Sequence, residues 1–210
     1  MREIEKEVVV MVHIGKGNHK LGTSILTFSI PPIITCIGST PHCRDICYGL
    51  KGRLIFKNAK AAFWENFSAT MKDTFVREMT SALTKKLRSG KFKAFRIHVV
   101  GDFYSQEYLE KWKEIARRFP DLRFTAWTKS WQLDFSKLPE NMNVFYSIVK
   151  DTTVVNPTIH RYCILDEDGE YLKRKDVFVC PYLEIGKGAC EQCWACYGEH
   201  PPKILILRKH

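Results

Sequence analysis

Phe92-Lys-Ala-Phe-Arg-Ile-His-Val-Val-Gly-Asp102 is an apolar, β-branched run that stops in a Gly-Asp turn pair, so it reads as a buried strand ending at Val100. Ser105 stands where a helix cap belongs. The apolar residues after it, Tyr108, Leu109, Trp112, Ile115, Ala116 and Phe119, share one helical face before Pro120. Leu122-Arg-Phe-Thr-Ala-Trp127 is then a second strand, ending in Thr128-Lys129-Ser130. A short connection through Leu133, Phe135 and Leu138 leads to a third, Asn143–Val149, ending in Lys150-Asp151. Upstream, Thr23–Ile30 reads as a strand stopped by Pro31-Pro32, and a helical stretch runs from Asn58, its N-cap, to Ser89-Gly90. Within that stretch Phe63, Phe67, Met71, Phe75, Met79, Leu83 and Leu87 recur at every fourth position. Such a line drifts by about 40° per step around a 3.6-residue helix, so the helix must bend, break or be packed on several sides.

Strand, helix, strand, helix, strand is the order of a parallel sheet. The expected fold is α/β: a small partial (β/α) barrel or an open parallel sheet, with a cysteine-rich C-terminal segment. Residues 1–157 would form the (β/α) core. Residues 158–210 would add a hairpin, Tyr162–Leu165 against Tyr171–Val179 across the turn Asp166-Glu-Asp-Gly169, then four cysteines and a last strand, Ile204–Leu207. Chemistry in such sheets sits at the C-terminal ends of the strands. That rule gathers the loop after Ile30, Gly101-Asp102, Thr128-Lys129-Ser130 and Lys150-Asp151 on one rim.

A chain of 210 residues, 45% apolar and 12% aromatic, can build one substantial core and does not have the composition of a disordered protein. No run approaches the roughly 18 apolar residues that span a bilayer. The start, Met1–Glu7, carries acids before a short strand-like run, Val8–Val12, and has no signal-peptide pattern. The expectation is a cytoplasmic protein without a membrane partner. The net charge of +10, from 33 Lys and Arg against 23 Asp and Glu, admits nucleic acid as a partner, but the basic residues are spread along the chain.

Eight cysteines in a chain of this kind point to metal before disulfides. Cys36-x6-Cys43-x3-Cys47 lies in the loop after the first strand, with Gly38, Pro41 and Gly49 to turn the backbone so that three thiolates converge. Three thiolates suit an open iron–sulfur cluster, with zinc and His42 as the rival and cysteines buried as small hydrophobes, without metal, as a third reading. Cys180-Pro181-x8-Cys190-x2-Cys193-x2-Cys196 supplies four thiolates, a closed set that fits an iron–sulfur cluster or zinc. Cys163 is left over: it reads as a packing residue inside the hairpin, with replacement of one of these four ligands as the alternative. His98 reads as a core histidine, and Trp127, Trp131 and Trp194 as packing residues.

The segments Cys36-Ile-Gly-Ser-Thr-Pro-His-Cys43-Arg-Asp-Ile-Cys47-Tyr-Gly, Phe95–Ser105 and Phe124–Ser130 resemble a family of phage-associated proteins called gene product 88, over about residues 24–200. That likeness implies a shared site more than a known activity. A more distant resemblance is to radical SAM enzymes, in which a cysteine loop after the first strand binds a [4Fe-4S] cluster and Gly-Gly-Glu-Pro and Thr-Asn-Gly-like stretches end the next strands. Val100-Gly101-Asp102-Phe103 and Thr128-Lys129-Ser130 occupy those two places here, with x6 and x3 cysteine spacings instead of x3 and x2.

That second resemblance implies an open cluster at Cys36, Cys43 and Cys47 that holds S-adenosylmethionine, with Gly101, Asp102, Thr128, Ser130 and Ser147 around the cofactor. It also implies Asp102 and Lys129 as catalytic candidates and an auxiliary cluster at Cys180, Cys190, Cys193 and Cys196; Lys129, Ser130, Ser147 and Lys150 are candidates for the substrate side, with His98 a lesser one. The substrate is open, and an electron donor is an expected partner. The alternatives are a zinc-stabilised protein that binds nucleic acid, and an iron–sulfur electron carrier.

Overall fold

The computed structural model describes residues 12–208, so all of the Val8–Val12 run but its last residue lies outside the described residues. Eight strands form one sheet: β1 (Gly15–Asn18), β2 (Gly22–Phe28), β3 (Ala94–Ile97), β4 (Arg123–Thr128), β5 (Met142–Ile148), β6 (Tyr162–Asp166), β7 (Phe178–Val179) and β8 (Ile204–Arg208). Their order is β1-β2-β3-β4-β5-β6-β8-β7, and every neighbouring pair is parallel except β1 with β2. The sheet is open, with β1 and β7 as its edges. From β2 to β6 each strand lies beside the one before it in the chain, so the direction of winding never reverses.

The expected hairpin does not form. β6 pairs with β5 and β8, and β7 is a two-residue strand on the far side of β8, parallel to it. Of the expected second strand only Phe178–Val179 is extended, Tyr171–Lys173 being a 3-10 turn, and a last strand, β8, takes the place beside β6 that the hairpin partner would have filled.

One face of the sheet is covered by α2 (Lys57–Thr70), α3 (Phe75–Leu87) and α4 (Gln106–Arg118), introduced by the short α1 (Pro41–Asp45). The long helical stretch breaks at residues 71–74. The break answers the drift of the every-fourth stripe: Met71 ends α2 exposed, while α3 restarts with Phe75, Val76, Met79 and Leu83 buried. Asn58 lies in the first turn of α2, and the N-cap is Phe56, which offers no side-chain cap. α4 follows the sequence closely. Ser105 accepts from the Tyr108 amide, Glu107 sits in the first turn, Arg117 and Arg118 in the last, as the helix dipole favours. Trp112 is fully buried at the centre of this layer, with ring centroids of Phe28, Phe75 and Phe95 within 5.3–5.8 Å.

The opposite face carries Ala94 and Arg96 of β3, Thr125 and Trp127 of β4, Asn143 and Phe145 of β5, and Cys163 of β6, which the register sets side by side. The C-terminal segment with α5 (Tyr182–Ile185) and α6 (Ala189–Cys193) folds over it. Thr125 donates to the Cys196 carbonyl, and the Asn143 amide reaches the carbonyls of Cys196 and Gly198. No helix of the described residues is long and apolar enough to cross a membrane.

Candidate metal centres

The loop after β2 is held to the strand ends at four places. Thr35, fully buried, donates to the Pro31 carbonyl (2.6 Å) and accepts from the Asp102 amide (3.3 Å). Gly38 lies so close to β4 that a Cβ there would stand 1.7 Å from the Lys129 carbonyl oxygen. Gln132 donates to the Ile37 carbonyl (3.2 Å). Asp151, just past β5, accepts from the Thr40 hydroxyl (2.6 Å) and the His42 amide (2.9 Å), while Thr40 caps α1 by accepting from the Cys43 amide (3.2 Å). Cys36, Cys43 and Cys47 are thereby brought to the carboxyl ends of β2 to β5, all half-buried and unpaired by disulfides.

Asp102 knits the rim. It is 4% exposed; Oδ1 accepts from the Thr128 hydroxyl (2.6 Å) and the Phe103 amide (2.7 Å), and Oδ2 from the Lys129 amide (2.7 Å). A carboxylate offers about four lone-pair sites, so room for one further donor remains. Burial nevertheless raises its pKa to about 6, against those three hydrogen bonds. Gly101 has φ +86°, and a side chain there would strike Ile30, so the Gly-Asp pair is required by a close crossing of two strand ends as well as by the turn. The Lys129 ammonium donates to the Ser147 carbonyl (2.8 Å), and burial lowers its pKa. The Ser130 hydroxyl donates to the Phe103 carbonyl (2.6 Å), and Lys150 is exposed. The expected rim residues are thus together, with the hydroxyls of Thr128 and Ser130 turned inward to hold it.

Burial, followed by the charge of Asp102, pushes the Cys36 thiol up to about 12. Burial also raises Cys43, opposed by Lys129. Both effects favour the protonated thiol, and a metal would have to displace that proton. His42 Nε2 meets Glu167 Oε2 at 2.6 Å, so of the imidazole of the zinc alternative only Nδ1 is left for a metal, with Glu167 as its outer carboxylate.

The second group lies on the sheet face opposite the helices. Cys180, Cys190, Cys193 and Cys196 line one small cavity of about 30 Å³ together with Phe178, Trp194, Tyr197 and Leu205. Cys163 is 2% exposed and packs with Phe145 and Leu205, and Cys180 and Cys196 close over them, so the residue left over in the sequence joins the same nest. Burial pushes Cys163 to about 12 and raises Cys190 and Cys196.

Both donor sets are of one chemical kind, soft sulfur, which fits an iron–sulfur cluster or zinc. The side chains are gathered without being drawn to bonding separations: among the described residues no three His, Cys, Asp or Glu groups stand close enough to hold an ion as they are. Residues 12–199, a span holding all eight cysteines, match the family model described as Gene product 88.

The chain belongs to the gene product 88 family. It is similar to the Gene 88 protein of Mycobacterium phage L5, 28% identical over 166 residues that cover 68% of this chain and 70% of the relative. It is equally similar to the Gene 88 protein of Mycobacterium phage D29, 28% identical over 167 residues, 73% of this chain and 69% of the relative. No solved structure matches. For this gene product 88 chain, sequence reasoning missed Thr35, Thr40 and Asn156 as organisers of the rim. Asn156 is fully buried, and its amide reaches the carbonyls of Ser130, Trp131 and Leu133. Its one sequence signal was an Asn-Pro pair, which reads as a turn.

Proposed function

We propose that this protein is an iron–sulfur enzyme of radical SAM type, with an open [4Fe-4S] cluster at Cys36, Cys43 and Cys47 and a second metal centre in the C-terminal segment. The observation that carries this reading is the seating of the three-thiol loop, through Gly38 and Asp151, on the same strand ends as Asp102 and Lys129. Three thiols on a parallel-sheet rim leave one metal position for a ligand, and an enzyme needs that vacancy where a structural site does not. When bound, such a cluster supplies the electron for reductive cleavage of S-adenosylmethionine, which an external low-potential donor must provide.

The chain's own part is positioning. Asp102 fixes the exits of β3 and β4 and keeps one acceptor position for an ammonium group. Lys129 places a cation beside Cys43, where it offsets thiolate charge. Thr35, Thr40 and Asp151 hold the loop against displacement. Lys129, Ser130, Ser147 and Lys150 are the candidates for the substrate side.

At the C-terminal group four thiols line one cavity, a donor set that suits zinc as well as a cluster, so zinc is the second reading there. Anaerobic purification, visible absorption, and counts of iron, sulfide and zinc per chain test both. Iron and sulfide lost in Cys43→Ala, with the C-terminal metal retained, is the expected pattern; 5′-deoxyadenosine released on adding S-adenosylmethionine and a strong reductant completes it. Colourless, iron-free protein would overturn the enzyme in favour of a zinc-stabilised, nucleic-acid-binding protein, whose affinity should fall steeply with salt. Iron without 5′-deoxyadenosine would favour an electron carrier.

A further inference from the structure

Arg96 stands on the face of the sheet that the C-terminal segment covers, beside the Tyr197 hydroxyl and without a carboxylate partner. It is half-buried, its Nε donates to the His98 carbonyl (3.1 Å), and its guanidinium lies 3.6 Å over the Trp127 ring, which is stacked on Phe145. No carboxylate among the described residues stands in salt-bridge range of it. A cation taken partly out of water is retained at a cost unless an anion faces it.

The neighbours of Arg96 identify that anion. Trp127, on which it stacks, and Phe145, on which Trp127 stacks, belong to one cluster with Cys163, Cys180 and Cys196, and Ala94, two residues back on the same strand face, belongs to one with Cys190 and Cys196. Lys20, over the Tyr182 ring, is the other cation that bears on Cys163 and Cys190. Either metal reading gives the loaded site the same charge: four thiolates around Zn²⁺, or around a [4Fe-4S]²⁺ core, leave two negative charges. Of that set Cys190 feels the charge of both cations, as does Cys163 beside it.

We propose that Arg96 is the positioning counter-charge of the C-terminal metal–thiolate centre, stacked on Trp127 so that its guanidinium faces the thiolates. This rests on the reading of that segment as a metal site. Outer residues that orient or balance a metal site change its affinity by about 10–100-fold. Arg96→Gln keeps most of the length and removes the charge, and Arg96→Lys keeps the charge and loses the planar stack.

Zinc affinity is measured on the full, reduced chain by competition with a chromogenic chelator, in a Cys43→Ala background so that only the C-terminal site reports. The expected result is zinc held about 10–100-fold more weakly by Arg96→Gln, with Arg96→Lys close to the parent. Equal affinity of Arg96→Gln and parent, or equal weakening in both variants, overturns the proposal, the second because it would mark packing and not charge. Should Arg96→Gln fail to fold, Arg96→Lys decides: parental affinity supports the proposal and a tenfold loss overturns it. A parent that binds no zinc in this background sinks the C-terminal metal site itself.

Discussion

Replacing Gly38 by alanine isolates the contact that seats the three-cysteine loop. Gly38 does not occupy the left-handed region, so alanine meets no conformational penalty of its own there. Its Cβ would instead stand 1.7 Å from the Lys129 oxygen and 2.5 Å from the Lys129 carbonyl carbon, and both are backbone atoms that no rotamer change can move. Carbon and oxygen do not approach much below about 3 Å, so loop and strand end must separate by at least ~1.3 Å. That shift exceeds the tolerance of the Gln132 bond to Ile37 at 3.2 Å and of the Thr35 bond to Asp102 at 3.3 Å, both near the end of the hydrogen-bond range.

Overpacking of this kind costs about 1–3 kcal/mol. Gly52→Ala is the control. There φ is +57° and no atom lies within 4 Å, so its cost is conformational only, about 1–2 kcal/mol, and leaves the loop in place. The two variants should therefore have similar urea midpoints and differ in the reactivity of Cys36, two residues from Gly38. Alkylation followed by mass spectrometry should show Cys36 modified faster in Gly38→Ala and unchanged in Gly52→Ala. Wild-type stability and Cys36 reactivity in Gly38→Ala would refute the close docking of this loop on β4.

Three further outcomes are expected. His98 is buried, its Nε2 bonded to the Tyr108 hydroxyl at 2.8 Å, and burial first, then Arg96, lowers its pKa to about 3. The unfolded chain therefore binds the proton first: this group's contribution is intact above about pH 6.5 and is lost by up to about 1.4 kcal/mol per pH unit as pH falls toward 3. His98→Asn, tolerated at φ +59°, should flatten that part of the pH dependence in urea titrations; an unchanged slope would contradict it. Trp112→Ala should lower stability by about 3–5 kcal/mol, measured by urea unfolding, because the ring is enclosed on every side. Asn156→Ala should cost about 2–3 kcal/mol and loosen residues 129–133, seen as faster amide exchange there, with no change in the C-terminal segment.

Much of the fold was legible because its signals are local. The periods of β2 to β5 and α4, the cap at Ser105 and the stop at Pro120 depend on residues a few positions apart. The strand-end rule then put Gly101-Asp102, Thr128-Lys129-Ser130, Asp151 and the three-cysteine loop on one rim, and hydrogen bonds join them there. The hairpin failed for the complementary reason. Residues 162–166 and 178–179 have strand character, but which strand lies beside β6 depends on competition with residues 204–208, almost 40 positions away.

The sequence by itself determined the winding of a mostly parallel sheet, the burial of its helical face, and the presence of two groups of cysteines, since periodicity and spacing are written in consecutive residues. Only the tertiary structure decided that Cys163 packs in one cluster with Cys180 and Cys196, that His42 turns to Glu167, and that Arg96 stacks on Trp127 beneath the C-terminal segment without a carboxylate in range. Those relations join residues far apart in the chain, and side-chain direction across a covered sheet face has no local signature until the covering segment is in place.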